Sequence, residues 1–186
     1  MRIIAGEARG RKLAAPRDRS IRPLLDQIRE SIFSTLGNAF EGRRVLDLFA
    51  GIGSFGLEAL SRGARRVVFV EKSRGAIDIL RKNLETLGFA PRGELLQGDA
   101  LLDPNVRVIE PPGFALVFLD PPFRLFERPE DADKVFQRVR DILHSTALEP
   151  EGTVLLRLPS KFQGACPIRA EEKRTYGESI VLRFVP

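Results

Sequence analysis

Apolar positions along this chain follow two different periods. From Asp26 to Asn38, the residues Ile28, Ile32, Phe33 and Leu36 recur on one face of a repeat of about 3.6, which predicts a helix closed by Gly37 and Asn38. The run Arg43–Phe49 carries Val-Leu-Asp-Leu-Phe and predicts a short buried strand. A glycine-rich turn leads from it to a helix over Ser54–Ser61, stopped near Gly63. Val67–Val70 predicts a second strand, and Gly75–Leu87 a helix with Ile77, Leu80, Leu84 and Leu87 on one face and Gly88 as its C-cap. Further strands are expected at Gly93–Gln97, Ala115–Leu119 and Thr153–Leu158, and a long helix at Pro129–Ala147. The segment Leu101–Ile109 fits neither period. Ile168–Thr175 and Ser179–Val185, joined by Tyr176-Gly177-Glu178, predict an antiparallel hairpin.

Strands that alternate with helices imply a mainly parallel sheet covered by helices on both faces, with the hairpin adding antiparallel edge strands. At 186 residues and 43% hydrophobic content, the chain can bury a core of ordinary size. No apolar run reaches the length of a bilayer span, and Met1–Glu7 has no signal-peptide character. A single cysteine, Cys166, excludes an internal disulfide and a cysteine-cluster zinc site; it is expected to be buried or half-buried. A single histidine, His144, excludes a multi-histidine metal site. The expectation is a soluble, cytoplasmic, monomeric protein that needs no metal and no membrane.

Charge is unevenly placed. The first 22 residues hold seven basic groups (Arg2, Arg9, Arg11, Lys12, Arg17, Arg19 and Arg22) and two acidic ones (Glu7 and Asp18), which accounts for the whole net charge of +5. Such a segment suits phosphate contacts or a solvated tail. The natural boundary falls near residues 38–44, between a basic N-terminal extension, 1–40, and an α/β body, 41–186.

Three motifs follow strand ends. Asp47-Leu48-Phe49-Ala50-Gly51-Ile52-Gly53-Ser54-Phe55-Gly56 contains G-x-G-x-x-G between a strand and a helix, a turn that lets a ligand approach the backbone or packs the helix tightly on the sheet. Glu71 ends the next strand at the distance along the chain where a carboxylate holds ribose hydroxyls. Asp47 would repel a dinucleotide pyrophosphate, but suits the ammonium and sulfonium of S-adenosylmethionine. This opposes a nicotinamide-dependent oxidoreductase. The weaker reading of Asp47 is a cap on nearby backbone N–H groups. Asp99, in Gly98-Asp99-Ala100, suits an adenine amine or a helix N-cap.

The sharpest motif is Asp120-Pro121-Pro122-Phe123 at the end of a continuous apolar strand. Asp120 and the proline carbonyls offer acceptors, and proline supplies no competing N–H. Phe123 offers a flat face for a base. An exocyclic amine on a planar nucleobase needs acceptors for its hydrogens and a surface to hold its ring.

Taken together, these residues resemble class I adenosylmethionine-dependent methyltransferases of the amino-methylating group, and more narrowly the RsmD family, which acts on guanine N2 in 16S ribosomal RNA. Further marks are Arg9-Gly10-Arg11-Lys12-Leu13, Ile28-Arg29-Glu30-Ser31-Ile32-Phe33, Leu57–Ala64 and Tyr176-Gly177. The resemblance implies a Rossmann-like seven-stranded sheet ending in a hairpin. It implies that Asp47, Phe49, Gly51, Gly53, Glu71, Lys72, Asp99 and Ala100 hold S-adenosyl-L-methionine. Asp120, Pro121, Pro122 and Phe123 would hold the target guanine, and Arg2, Arg9, Arg11, Lys12 and Arg22 would contact 16S rRNA or the assembling small subunit. The same acceptor corner suits adenine N6, so a DNA adenine-N6 methyltransferase is the alternative. Two departures stand out. Leu24-Leu25 replaces the family's usual pair of threonines, and Ile52 and Phe55 replace smaller residues of the glycine loop.

Overall fold

A computed structural model describes residues 1–16, 26–102 and 113–186. Its elements are α1 (Asp26–Leu36), β1 (Arg44–Leu48), α2 (Ser54–Ser61), β2 (Arg66–Glu71), α3 (Arg74–Leu87), β3 (Gly93–Gln97), β4 (Phe114–Leu119), α4 (Pro129–Leu143), β5 (Leu148–Pro159), β6 (Glu172–Tyr176) and β7 (Ser179–Phe184). The strands form one sheet in the order β3-β2-β1-β4-β5-β7-β6. Strands β1 to β5 run parallel, and β7 is antiparallel to both β5 and β6. This is the class I methyltransferase arrangement expected from the sequence.

The central strands are apolar on both sides because both sides are covered. Every residue of β4 is buried. Val45, Phe118, Leu155 and Val181 pack in one core with Phe33 of α1, Leu57 of α2 and Leu80 of α3. Leu46, Leu48, Val117 and Leu156 face the other way, against Val135, Phe136 and Val139 of α4. Phe55, one of the departures in the glycine loop, stacks on Phe118 at 4.7 Å, and Phe33 lies 5.5 Å from Phe118. The larger side chain thus fills the space between the first turn of α2 and β4.

Several element ends differ from expectation. Helix α1 stops at Leu36 because Gly37 turns left-handed, at φ 55°. Helix α4 stops at Leu143, and residues 144–147 turn to deliver the Ala147 carbonyl to the Phe114 N–H at 2.7 Å. Strand β5 therefore begins early, at Leu148. Strand β6 begins only at Glu172, whereas Ile168 and Ala170 serve as core contacts. Cys166 is exposed, its thiol donating to the Ile168 carbonyl at 3.1 Å. Leu24-Leu25 and most of the segment Leu101–Ile109 lie outside the described residues.

The basic N-terminal segment is bound to the body over residues 1–14. Residues 1–3 and 11–13 pair antiparallel, with Ile3 N–H on the Arg11 carbonyl and Gly10 N–H on the Ile3 carbonyl, each at 2.9 Å. Glu58 of α2 is fully buried and accepts from the N–H groups of Ile4 (2.8 Å) and Ala5 (3.0 Å) and from Arg62 Nε (2.7 Å). Arg29 of α1, also fully buried, lies 3.8 Å from the same carboxylate. The Ser61 hydroxyl donates to the Ala5 carbonyl (2.6 Å) and accepts from the Ala8 N–H (3.0 Å). The carboxylate of Glu58 and the hydroxyl of Ser61 are thus paired across the join, whereas Arg29 Nε and Nη1 are buried without a hydrogen-bond partner, with the Glu58 charge nearby.

Gly6 makes this join possible. It sits at φ +81°, and a Cβ there would lie 1.8 Å from the Ser61 carbonyl oxygen. Gly6→Ala is therefore expected to destabilise the protein by about 2–4 kcal/mol in urea unfolding, through backbone strain and loss of the docked arm. Gly10→Ala has open space at its own Cβ and should lose less than Gly6→Ala.

Candidate active site

In doubly wound sheets, ligands bind beyond the carboxyl ends of the strands where the strand order reverses. Here that point lies between β1 and β4, which pair in parallel with Asp47 opposite Phe118 and Leu48 opposite Leu119. The Asp120 N–H, one residue on, donates to the Leu48 carbonyl at 3.3 Å. The glycine loop and the proline corner therefore leave the same edge of the sheet side by side.

The loop begins under strain. Phe49 adopts φ 61°, the only non-glycine among the described residues with positive φ. Such strain is held only where the surroundings impose it. The two later glycines of the motif serve packing. A Cβ on Gly53 would meet Leu80 at 2.3 Å, and one on Gly56 would meet Phe69 at 2.2 Å. Gly51 differs, with open space where its side chain would stand. Of the three, Gly51 leaves room for a ligand beside the backbone. Asn83 of α3 supports the loop from behind, donating to the Ile52 and Ala14 carbonyls (both 3.2 Å) while accepting from the Ala14 N–H (2.7 Å). One buried amide thus ties the N-terminal segment to the glycine loop.

Four carboxylates line the strand ends. Asp47 is buried and accepts from the Gly56 N–H at 2.9 Å, the capping role open to it from sequence. Burial pushes its carboxyl up to about 8; the Gly56 hydrogen bond opposes this, and the charges of Asp120 and Glu71 add to it. Glu71 accepts from the N–H groups of Gly51 (2.8 Å) and Ser73 (2.7 Å), so it also shapes the loop. Asp99 accepts from Lys72 Nζ (2.9 Å) and from the Leu101 N–H (3.0 Å). Partial burial opposes its ionisation, but the Lys72 hydrogen bond, the Leu101 N–H and the Lys72 charge together hold it below its ordinary value. Ala100 is buried beside it. A ligand offering cations, hydroxyls or amines fits such a rim, and one offering phosphates does not. The residues present therefore fit S-adenosyl-L-methionine.

The proline corner is less open than its sequence implies. Pro121 is buried, Pro122 exposed and Phe123 half-buried at the start of a short 3-10 turn. The acceptor Asp120 already has a donor: Arg157 Nε on β5 lies 2.5 Å from its Oδ1. The Arg157 guanidinium also lies 4.7 Å over the Phe123 ring, on a face expected to be clear for a base. Burial raises the Asp120 carboxyl, and the charge and hydrogen bond of Arg157 pull against that rise. Arg157 was not singled out by sequence motif. Its signal was a lone cation inside the apolar run Val154–Leu158.

The basic residues do not form one uniform surface. Arg9 and Lys12 are exposed. Arg2 is exposed and 3.7 Å from Asp26. Arg11 instead caps α3, its guanidinium donating to the carbonyls of Leu87 (3.3 Å) and Thr86. Arg22 lies outside the described residues. Among the described residues, no group of three or more His, Cys, Asp or Glu is arranged to hold a metal, and no helix is long and apolar enough to cross a membrane.

The buried Asp47 generates a test. Its unfolded carboxyl ionises near 3.8 and its folded one near 8. Between those values the unfolded chain holds fewer protons, so ionisation costs stability as pH rises. The stability of Asp47→Asn relative to the parent is expected to climb from pH 5 to pH 8, by up to about 1.4 kcal/mol per pH unit, in urea unfolding followed by circular dichroism. A difference that stays flat with pH would refute the shift.

Comparisons with known proteins agree with this geometry. The chain is 41% identical over 123 residues to "Ribosomal RNA small subunit methyltransferase D" of Haemophilus influenzae, a match spanning 66% of this chain and 64% of that protein. The solved structure described as "Putative methyltransferase yhhF from Escherichia coli" superposes with a TM-score of 0.80 at 27% identity, covering 98% of this chain and 96% of that one. An RNA methyltransferase from Salinibacter ruber, solved in complex with S-adenosyl-L-homocysteine, shares the fold at a TM-score of 0.64 and 20% identity, over 87% of this chain and 92% of that one. With its model matching residues 1–184, the family described as "Conserved hypothetical protein 95" is the one to which this chain belongs.

Proposed function

We propose that this protein transfers a methyl group from S-adenosyl-L-methionine to the exocyclic N2 amine of a guanine in 16S rRNA of the small ribosomal subunit. The observation that carries the proposal is the pairing of β1 with β4, which sets the acidic glycine turn and the Asp120 corner side by side. The relative named for small-subunit ribosomal RNA supports an RNA substrate over DNA adenine, and the neighbour with adenosylhomocysteine supports the cofactor.

The cofactor supplies a methyl group activated by a sulfonium. Asp47 and the backbone around Phe49, Gly51 and Gly53 would hold its methionine end, Glu71 its ribose, and Lys72, Asp99 and Ala100 the surroundings of its adenine. Burial raises the Asp47 carboxyl to about 8, and an approaching cation would favour its ionised form. Asp120 and the Pro121 carbonyl would accept from the target amine, hold its lone pair toward the donor and receive the proton the amine must lose. Phe123 and Pro122 would clamp the ring of an unpaired base. Arg2, Arg9, Lys12 and Arg22 would contact the RNA backbone, with Arg11 shaping the surface between them.

In a tritiated-methyl assay on unmethylated small-subunit rRNA, Asp120→Asn is expected to lose about 100-fold or more in kcat while still binding adenosylhomocysteine. Activity near the parent's would remove Asp120 from the chemistry. Arg9→Gln with Lys12→Gln is expected to weaken RNA binding and to reduce its salt dependence by a log–log slope of about 1 to 2, without moving cofactor affinity. An unchanged slope would take these two residues out of the RNA interface.

A further inference from the structure

Arg157 occupies the place where the proposed function puts the target base. We infer that its guanidinium is a placeholder for that base, holding the acceptor corner in its working shape until a guanine displaces it. The inference rests on the reading of Asp120–Phe123 as a base site.

Three contacts define the arrangement. Arg157 Nε lies 2.5 Å from Asp120 Oδ1, Nη1 lies 3.2 Å from the Ser179 hydroxyl on β7, and the guanidinium carbon stands 4.7 Å over the Phe123 ring. An ion pair alone would need only the first. Here one planar group bonds the acceptor and covers the aromatic face together, the two demands the corner would make of a base.

Chemistry narrows what can take its place. A guanidinium is a flat N–C–N unit with donors side by side on one edge. Guanine carries the same unit as N1–H, C2 and the N2 amine. Its edge can replace Arg157 and leave Asp120 facing donors throughout. The amine edge of adenine sets an acceptor, N1, beside its donor, and would bring that lone pair toward the carboxylate. The placeholder thus selects for guanine by shape and donor pattern before any chemistry occurs.

The exchange is feasible and has a consequence. The side chains of Arg157 and Asp120 keep 18% and 19% of their surface exposed, so a base can reach the pair from solvent without unfolding the sheet. Arg157 on β5 is the charge that acts on Asp120, while Asp120 in turn raises the Asp47 carboxyl on β1. When the base displaces Arg157, Asp120 loses its cationic restraint and binds a proton more strongly. That gain coincides with the moment at which the amine nitrogen must pass a proton to the Asp120 oxygen.

The test uses the full chain saturated with S-adenosylhomocysteine, with guanosine and inosine as probes. Inosine keeps N1–H but lacks the N2 amine. Arg157→Ala is expected to bind guanosine at least fivefold more tightly than the parent, to gain less than twofold for inosine, and to bind methylguanidinium in competition with guanosine. Its KM for unmethylated small-subunit rRNA should fall at least threefold even though kcat also falls; a merely structural role would not lower KM. Equal guanosine affinity in parent and variant overturns the placeholder. Should Arg157→Ala not fold, judged by loss of adenosylhomocysteine binding, the parent decides. Its Arg157 Nε–H resonance, assigned through Arg157→Lys, should pass from protected to solvent-exchanging as guanosine saturates. A resonance that stays protected overturns the idea. Failure of the underlying reading looks different, because the parent itself would then transfer no methyl to the rRNA.

Discussion

The parallel pairing of β1 with β4 is the constraint on which the site depends. These strands are far apart in sequence, yet their register places Leu48 beside Leu119 and delivers both chain exits to one edge. Each strand is buried on both faces, so a slip by one residue would turn Asp47 from the α2 side toward the apolar α4 side. Burying such a carboxylate without its Gly56 partner is costly enough to exclude that register. The core thus fixes the site: apolar packing sets the register, and the register sets which carboxylates meet.

The N-terminal segment is joined to this frame through buried polar groups. Glu58 and Ser61 on α2 hold residues 4–8, and Asn83 on α3 holds Ala14 and Ile52 together. Both helices follow turns that form the rim of the site. A segment rich in cations is therefore bonded to the same two helices that carry the glycine loop, and polar networks of this kind transmit position only while every member is satisfied. The aromatic cluster of Phe33, Phe55 and Phe118 adds an apolar tie between α1 and the strand that ends in Asp120.

Much of this was legible in the sequence, for physical reasons that differ by element. The β4 strand announced itself because burial on both faces demands an unbroken apolar run. Helix α3 did so through its periodic face and its glycine stop. The start of β6 was not legible: Ile168 and Ala170 read as strand residues, but they plug the α4-side core from a connecting segment. In the site, the carboxylates and glycines were visible as motifs, whereas their partners were not. Sequence spacing cannot tell that Arg11 would cap α3 or that Glu71 would bond Gly51, because each hydrogen bond joins residues brought together only by the fold. Arg157 belongs to this class, although its place in an otherwise apolar strand was itself a sign that a buried partner awaited it.

These partnerships change how the acidic rim should be understood. Burial makes ionisation of Asp47 and Asp120 unfavourable, and the structure answers each in a different way. Asp47 is given one backbone N–H and no cation, so burial pushes its carboxyl up and a cationic ligand would draw out its charge. Asp120 is given Arg157, whose charge and hydrogen bond offset part of the rise that burial imposes and hold its oxygen as an acceptor. Had both carried counter-ions of their own, a cationic cofactor would meet a neutralised pocket. Had neither, the pocket would hold two neutral acids with little pull on a cation or an amine. The asymmetry assigns charge binding to β1 and hydrogen-bond acceptance to β4. It follows from one difference between their neighbours: β5 contributes an arginine at the sheet's carboxyl edge, where β2 contributes a glutamate.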